Sequence, residues 1–268
     1  MTPAALAKTG ELAEALVRVD RVPLARLARG IYEGVPEEDY HDTSGPVVVS
    51  NSLLGRVLRS PAHARAWLDG AADDDSPVLS FGRSFHRALL EPHRSAPAAT
   101  TKKAREDADT IALMTARVHA DPLAARILAS GRAELTLRWR DAETGLECKA
   151  RLDWLMRDLP VALDAKSTTD ASPDAFRRSV ATFGYHRQEA WYREGMAACG
   201  LDCAGFVFLP VEKSAPHECA LYTLEPDAVR KGREANRAAL RTLARCIATN
   251  TWPGYSAGIQ TLTLPPWG

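Results

Sequence analysis

The sequence predicts an α/β (α+β) domain, a central mostly antiparallel or mixed sheet flanked by helices. Three observations predict it. Apolar residues recur at helical spacing from Asn51 to Ser130, the period switches to two between Ala133 and Lys166, and helical spacing returns from Pro173, interleaved with two further strand-like runs. At 268 residues, 46% apolar and 25% charged, the chain is long enough for one large core. That composition excludes collagen-like, disordered and disulfide-scaffold classes.

Taken in order, Ala4 to Ala28 carries helical spacing in two short stretches parted by Pro23, and Gly34 to Gly45 is polar and turn-rich. Residues 1–45 therefore read as an N-terminal helical arm and linker, and 46–268 as the main domain. Val47-Val48-Val49 leads into Ser50-Asn51-Ser52, a helix start ahead of Leu53, Leu54, Val57 and Leu58, and Ser60-Pro61 opens another short helix ending near Gly70. Asp73-Asp74-Asp75-Ser76-Pro77 reads as a solvated loop. Ser80 to Leu90 is helical, with Phe81, Phe85 and Leu89 in one buried stripe and Gly82 and His86 in the next.

Thr101 to Ser130 predicts two helices broken at Asp121-Pro122. Ala133 to Arg140, Glu147 to Met156 and Val161 to Lys166 alternate as strands, with the turn at Arg157-Asp158-Leu159-Pro160. Pro173 to Gly200 is helical with a break at Phe183-Gly184, Gly205 to Val211 and Glu218 to Leu224 read as strands, Pro226 to Asn250 as a long helix, and Trp252 to Gly268 as coil.

The 34 basic and 34 acidic residues give zero formal charge, which excludes a protein that coats a polyanion through its overall field. Cys148, Cys199, Cys203, Cys219 and Cys246 are odd in number and contain no CxxC pair, as expected of reduced thiols in a cytoplasmic protein. No secretory core is expected near Met1 and no membrane-spanning run elsewhere.

The hairpin carries the chemistry. With a four-residue turn, Met156 pairs with Val161, so Asp153 stands opposite Asp164 and Arg151 opposite Lys166. One face then holds Ala150, Leu152, Trp154 and Met156 against Val161, Leu163 and Ala165; the other holds Lys149, Arg151 and Asp153 against Asp164 and Lys166. Carboxylates facing across a strand pair, with Cβ atoms roughly 5 Å apart, repel unless a cation intervenes. Mg2+ suits such a half-built oxygen cage, and Lys166 projects from the same face, where it can orient a water or steady a phosphate. On spacing alone, the same four charges also suit a cross-strand salt-bridge network on a solvated face.

Asp153, with Asp164-Ala165-Lys166 beginning eleven positions later, upstream Glu134, and downstream Gln188 and Tyr192, resembles the PD-(D/E)XK nuclease core. More narrowly it resembles the RecE-like, phage-type exodeoxyribonucleases, with lambda exonuclease and the RecB nuclease domain as more distant relatives. The segments that carry this are Ser50-Asn51-Ser52-Leu53-Leu54 with Ser60-Pro61, Phe81 to His86 with Leu90-Glu91-Pro92, Glu134 through Gly145, Cys148 to Asp153, and Phe183 to Gln188.

The resemblance implies a restriction-endonuclease-like fold and metal-assisted hydrolysis of linear double-stranded DNA, 5′ to 3′, leaving 3′ single-stranded tails for a single-strand annealing protein. It implies Mg2+ or Mn2+, one or two ions per site, a homo-oligomer (trimer or tetramer) and a bacterial or host cytoplasm. Asp153, Asp164, the Ala165 carbonyl and His86 become metal ligands, Lys166 the catalytic lysine, and Glu134 an acid that binds metal directly or through water. Gln188 and Tyr192, at i and i+4 on one helical face, would align phosphate or water. Ser50, Ser52, Lys149 and Arg151 become DNA or phosphate contacts.

Other readings of the residues remain. His86 also suits a packed helix face, Ser50 a helix cap, and Gln188 and Tyr192 the polar edge of a packing face. Gly254-Tyr255-Ser256-Ala257-Gly258 matches a serine-hydrolase elbow, but no Asp or His follows it. His186-x-x-Glu189 has no second copy, and Cys199-x-x-x-Cys203 lacks the further clustered thiolates of an iron–sulfur site. The rival of a different class is a catalytically silent DNA-end-binding or scaffolding module.

Overall fold

The computed structural model of the chain describes residues 16–18, 24, 27–71, 76–94, 99–255 and 258–264. Among these, seven strands form one mixed sheet: β1 (Leu16–Arg18), β2 (Gly30–Glu33), β3 (Val48–Val49), β4 (Gly131–Arg140), β5 (Glu147–Met156), β6 (Val161–Thr168) and β7 (Gly205–Glu212). The order is β1-β2-β4-β5-β6-β7, with β3 pairing β5 in parallel. The centre, β2 through β6, is antiparallel, while β1 and β7 join their neighbours in parallel.

Helices cover both faces. On one lie α2 (Asn51–Arg59), α7 (Pro173–Phe183), α8 (Tyr185–Ala198) and α9 (Pro226–Thr249), whose Leu53, Leu54, Phe176, Trp191, Leu240 and Leu243 pack against Leu135, Leu137, Ala150 and Leu152. On the other, α4 (Pro77–Leu90), α5 (Lys102–Ala120) and α6 (Pro122–Leu128) bring Phe85, Leu89, Met114 and Ile127 onto Leu163, Ala165, Leu209 and Val211. The short α1 (Glu37–His41) and α3 (Pro61–Leu68) complete the set of described helices.

Local chemistry sets the helix starts. Ser50, Ser60, Ser76, Thr101 and Asp121 each accept a backbone N–H of the first turn, and Pro61, Pro77 and Pro122 occupy first helical positions. Gly184, at φ +71, takes the left-handed conformation that ends α7 and begins α8, as the Phe183-Gly184 break predicts.

Three expectations need correction. In the arm, residues 1–15 lie outside the described residues, but Leu16–Arg18 and Gly30–Glu33 are strands of the main sheet, so the described arm is not separate from the main domain. In Leu16–Arg18, parallel pairing with Ile31–Glu33 overrides the local helical spacing. Glu218 to Leu224 makes only isolated bridges, at Cys219 and Tyr222.

The third concerns the hairpin faces. The register is as predicted, with Trp154 opposite Leu163 and Leu155 opposite Ala162. Yet Ala150 and Leu152 face the α8 side while Trp154 and Met156 face the α4 side. Across from Asp153, Glu134 adopts φ +53, and the pairs on either side, Ala133 with Trp154 and Leu135 with Leu152, keep one register. A left-handed residue breaks the alternation there, so Asp153 and Trp154 turn to the same side. The asp-loop residues Asp73, Asp74 and Asp75 lie outside the described residues.

Candidate active site

The break in alternation delivers two carboxylates to the α4 face of the sheet. There His86, one turn before the buried end of α4, meets Glu134 and Asp153, and one donor atom from each of the three lies within 4.8 Å of the others. The His86 Nε2–H donates to the Ala165 carbonyl at 2.6 Å, which leaves Nδ1 facing the Asp153 Oδ2 at 3.5 Å. In the neutral ring these are two lone-pair atoms pointed at one another. A proton or a shared cation resolves that arrangement, and a histidine held by a carbonyl at its other nitrogen is how metal-binding imidazoles are oriented.

Asp153 is 8% exposed and its Oδ2 accepts the Ala165 N–H at 3.0 Å. This bond falls where the β5–β6 ladder ends, so the carboxylate takes the place of a backbone acceptor between diverging strands. Burial, and then the Asp153 charge, push Glu134 up to about 7. Arg151 Nη1 stands 3.9 Å from the Glu134 carboxylate, and one imidazole with two desolvated carboxylates beside that single guanidinium still fits a divalent cation.

Asp164 stands on the neighbouring side. It is 1% exposed, accepts from Gln188 Nε2 at 2.6 Å and is ion-paired with Lys166. Burial, reinforced by Asp153, pushes it up to about 6. Burial pulls the Lys166 pKa down, but Asp164 and Asp153 outweigh it and leave it raised, so Lys166 is an ammonium at neutral pH. Its Nζ lies 4.9 Å from the Tyr185 ring centre. Gln188 also donates to the Tyr192 hydroxyl at 3.2 Å, which fixes the amide from behind.

His86, Glu134, Asp153, Gln188 and Tyr192 line a cleft of 1640 Å3 together with Ser50 and Ser52, and the Asp164–Lys166 pair lies behind Gln188. The profile of the family described as "PDDEXK-like domain of unknown function (DUF3799)" matches residues 50–265. The chain belongs to that family.

This DUF3799 chain matches no curated protein. Among solved structures it is similar to a candidate exonuclease from Eubacterium rectale, at TM-score 0.65 and 14% identity, over 87% of this chain and 96% of that one. A phage-related exonuclease from Haemophilus somnus 129PT gives TM-score 0.36 and 16% identity, over 77% and 98% of the two chains. The first likeness is one of fold. It agrees with the PD-(D/E)XK architecture that the hairpin predicts.

Several site expectations change with the geometry. The DUF3799 chain gathers His86, Glu134 and Asp153, whereas Asp164, expected on the same face as Asp153, is held by Lys166 and Gln188 toward α8. The Ala165 carbonyl, expected as a ligand, is taken by His86. Lys149 and Arg151 border the cleft but spend hydrogen bonds on the chain around Tyr40. Lys149 is 4% exposed and donates to the Tyr40 carbonyl, and burial pulls it down to about 8. Arg151 donates to the Val35 carbonyl at 2.9 Å and lies 4.1 Å from the Tyr40 ring centre. Both cations clamp the α1 segment onto the sheet, a contact that no spacing within β5 reveals.

Ser50 caps α2 through Leu53 N at 3.2 Å, and its hydroxyl is 2.9 Å from that of Ser52, which is exposed toward the cleft. His186 is bonded to the Val180 carbonyl and Glu189 to Arg193, so that pair belongs to packing. Ser256 of the GxSxG match lies outside the described residues. Sequence reasoning missed Tyr185 beneath Lys166; its position three residues before Gln188 on α8 was the available signal.

Proposed function

We propose that this chain is a metal-dependent exodeoxyribonuclease acting on linear double-stranded DNA. The observation that carries the reading is the convergence of His86, Glu134 and Asp153 beside an Asp164–Lys166–Gln188 set, with His86, Glu134, Asp153 and Gln188 lining an open cleft in a PDDEXK-like domain. A divalent cation, Mg2+ by the hardness of the oxygen donors, is held by His86, Glu134 and Asp153 with Asp164 alongside, and supplies polarisation of the phosphoryl oxygen and an activated water at neutral pH.

The chain's own residues do the rest. Lys166, kept protonated by its carboxylates, donates hydrogen bonds to a non-bridging phosphate oxygen as charge builds there. Gln188 and Tyr192 hold Asp164 in place, and the Ala165 peptide fixes both the His86 ring and the Asp153 carboxylate. The leaving group is the 3′ oxygen and the product carries a 5′ phosphate.

The fold shared with a candidate exonuclease supports attack at ends rather than within the duplex. The proposal extends to 5′-to-3′ polarity, 3′ tails passed to a single-strand annealing protein, a homo-oligomer encircling the duplex, and a cytoplasmic location. Purified protein with Mg2+ and duplexes labelled at the 5′ or 3′ end tests this. The 5′ label is released first from linear DNA, and closed circles survive. Internal cuts in closed circles defeat the exonuclease reading.

A further inference from the structure

Beside the site, on the flank of α8 that faces α2, lies a cation that the mechanism above does not use. Arg187 immediately precedes Gln188 on α8, and its Nη1 is buried with no hydrogen-bond partner. Burial lowers its pKa, and no carboxylate acts on it to offset that. Among the described residues no acid pairs with its guanidinium. Other partly buried arginines, Arg132, Arg151, Arg193 and Arg237, each meet a carboxylate. A desolvated, unpaired guanidinium costs stability and is retained only where something else repays it.

The surroundings are shaped for the group. The guanidinium lies against Gly184, where a Cβ would stand 2.2 Å from Nη2, and Nη1 is 3.7 Å from the place of a Cβ on Gly55 of α2. Asn51, one turn before Gly55 and so on the same side of α2, has a buried Oδ1 that is also without a partner. Asn51 lines the cleft, as does Gln188. Two polar side chains with unspent hydrogen-bonding capacity therefore stand between α2 and α8, Asn51 at the cleft wall and Arg187 directly behind that wall.

We propose that Arg187, with the Asn51 amide beside it, is a phosphate subsite that takes a backbone phosphate of the strand next to the scissile one. The inference rests on the nuclease reading of the cleft. The planar fork of arginine matches two phosphate oxygens, and the charge of the phosphate is what the guanidinium lacks in the free protein. An Asn51 side chain turned to present its NH2 adds a third donor. Acidic partners are absent because they would compete with the phosphate.

The test is fluorescence anisotropy of a labelled, 5′-phosphorylated linear duplex with the full chain in Ca2+, across a salt series, for wild type, Arg187→Gln and Arg187→Lys. Arg187→Gln binds roughly tenfold more weakly at low salt, and the slope of log affinity against log salt shrinks by about 1. Arg187→Lys keeps the slope but loses part of the affinity. Thermal melting separates this from a packing role: loss of an unpaired buried cation leaves the Tm of Arg187→Gln equal or higher.

Unchanged affinity and slope in Arg187→Gln, or weaker binding that tracks a lowered Tm in both variants, overturns the subsite. If wild type neither binds nor digests linear duplex, the nuclease reading itself fails. That outcome is distinct from a wild type that binds and digests beside an indifferent Arg187→Gln.

Discussion

The two halves of the site are built on opposite principles. On the α4 side, His86, Glu134 and Asp153 crowd acceptors together beside the Arg151 guanidinium, 3.9 Å from Glu134, and Glu134 is still pushed up to about 7. On the α8 side, Asp164 is matched by the Lys166 ammonium and the Gln188 amide, with Tyr192 and Tyr185 behind them. The first half is a donor set that could hold a cation; the second is organised by its own hydrogen bonds and ion pair. Low reorganisation on the lysine side and high demand for charge on the other is what phosphoryl chemistry asks of a protein.

Removing either half separates the two roles. Lys166→Ala lowers nuclease turnover on the order of 10³-fold or more, because a positioned donor to the developing charge is lost. Its Mg2+ affinity, read by calorimetry, stays close to that of wild type. Asp153→Asn lowers turnover comparably and weakens Mg2+ binding as well. If Lys166→Ala weakens Mg2+ as much as Asp153→Asn does, the halves are not distinct.

Protons sharpen the same contrast. The raised carboxylates, Glu134 at about 7 and Asp164 at about 6, must release protons when a cation arrives, so Mg2+ affinity falls as pH falls. Titration calorimetry should show about a fourfold loss between roughly pH 7.5 and 6.5, steepening to more than about tenfold per unit below that as Asp164 joins. The sign for stability is opposite. In EDTA the folded state holds more protons than the unfolded chain between the ordinary carboxylate range and about 7, so the contribution of these groups to Tm declines as pH rises through that window, and Mg2+ restores it.

Smaller effects fall outside the chemistry. Lys149→Ala leaves the buried Tyr40 carbonyl without its donor and costs about 1–3 kcal/mol of stability, seen in urea melts, with DNA affinity unchanged once folded. A loss of affinity without a loss of stability would restore Lys149 as a phosphate contact. Tyr192→Phe removes one acceptor from Gln188 at a net cost of about 1 kcal/mol, or about fivefold in turnover.

Much of this was legible along the chain, for identifiable reasons. A four-residue turn sets the pairing of Trp154 with Leu163, so the hairpin register follows from counting. Gly184 and the Ser-Pro and Asp-Pro starts carry their backbone preferences locally, and the helices they bound appear where the spacing places them.

The left-handed backbone at Glu134 was not legible, because glutamate has no preference for it and only the finished sheet imposes it. That one residue decides which side Asp153 faces. The burial of Lys149 and Arg151 under Tyr40 was equally hidden, since their partners lie 109 and 116 residues away. In β1, pairing with β2 outweighs a helical local pattern.

The most direct measurement is Mg2+-dependent release of nucleotides from a uniformly labelled linear duplex by the full chain, run beside Asp153→Asn and Lys166→Ala. The account predicts steady release by wild type that EDTA stops, and near-complete loss in both variants while their Tm values show folded protein. Release by Asp153→Asn at the wild-type rate, or none by wild type with Mg2+ or Mn2+, would contradict it.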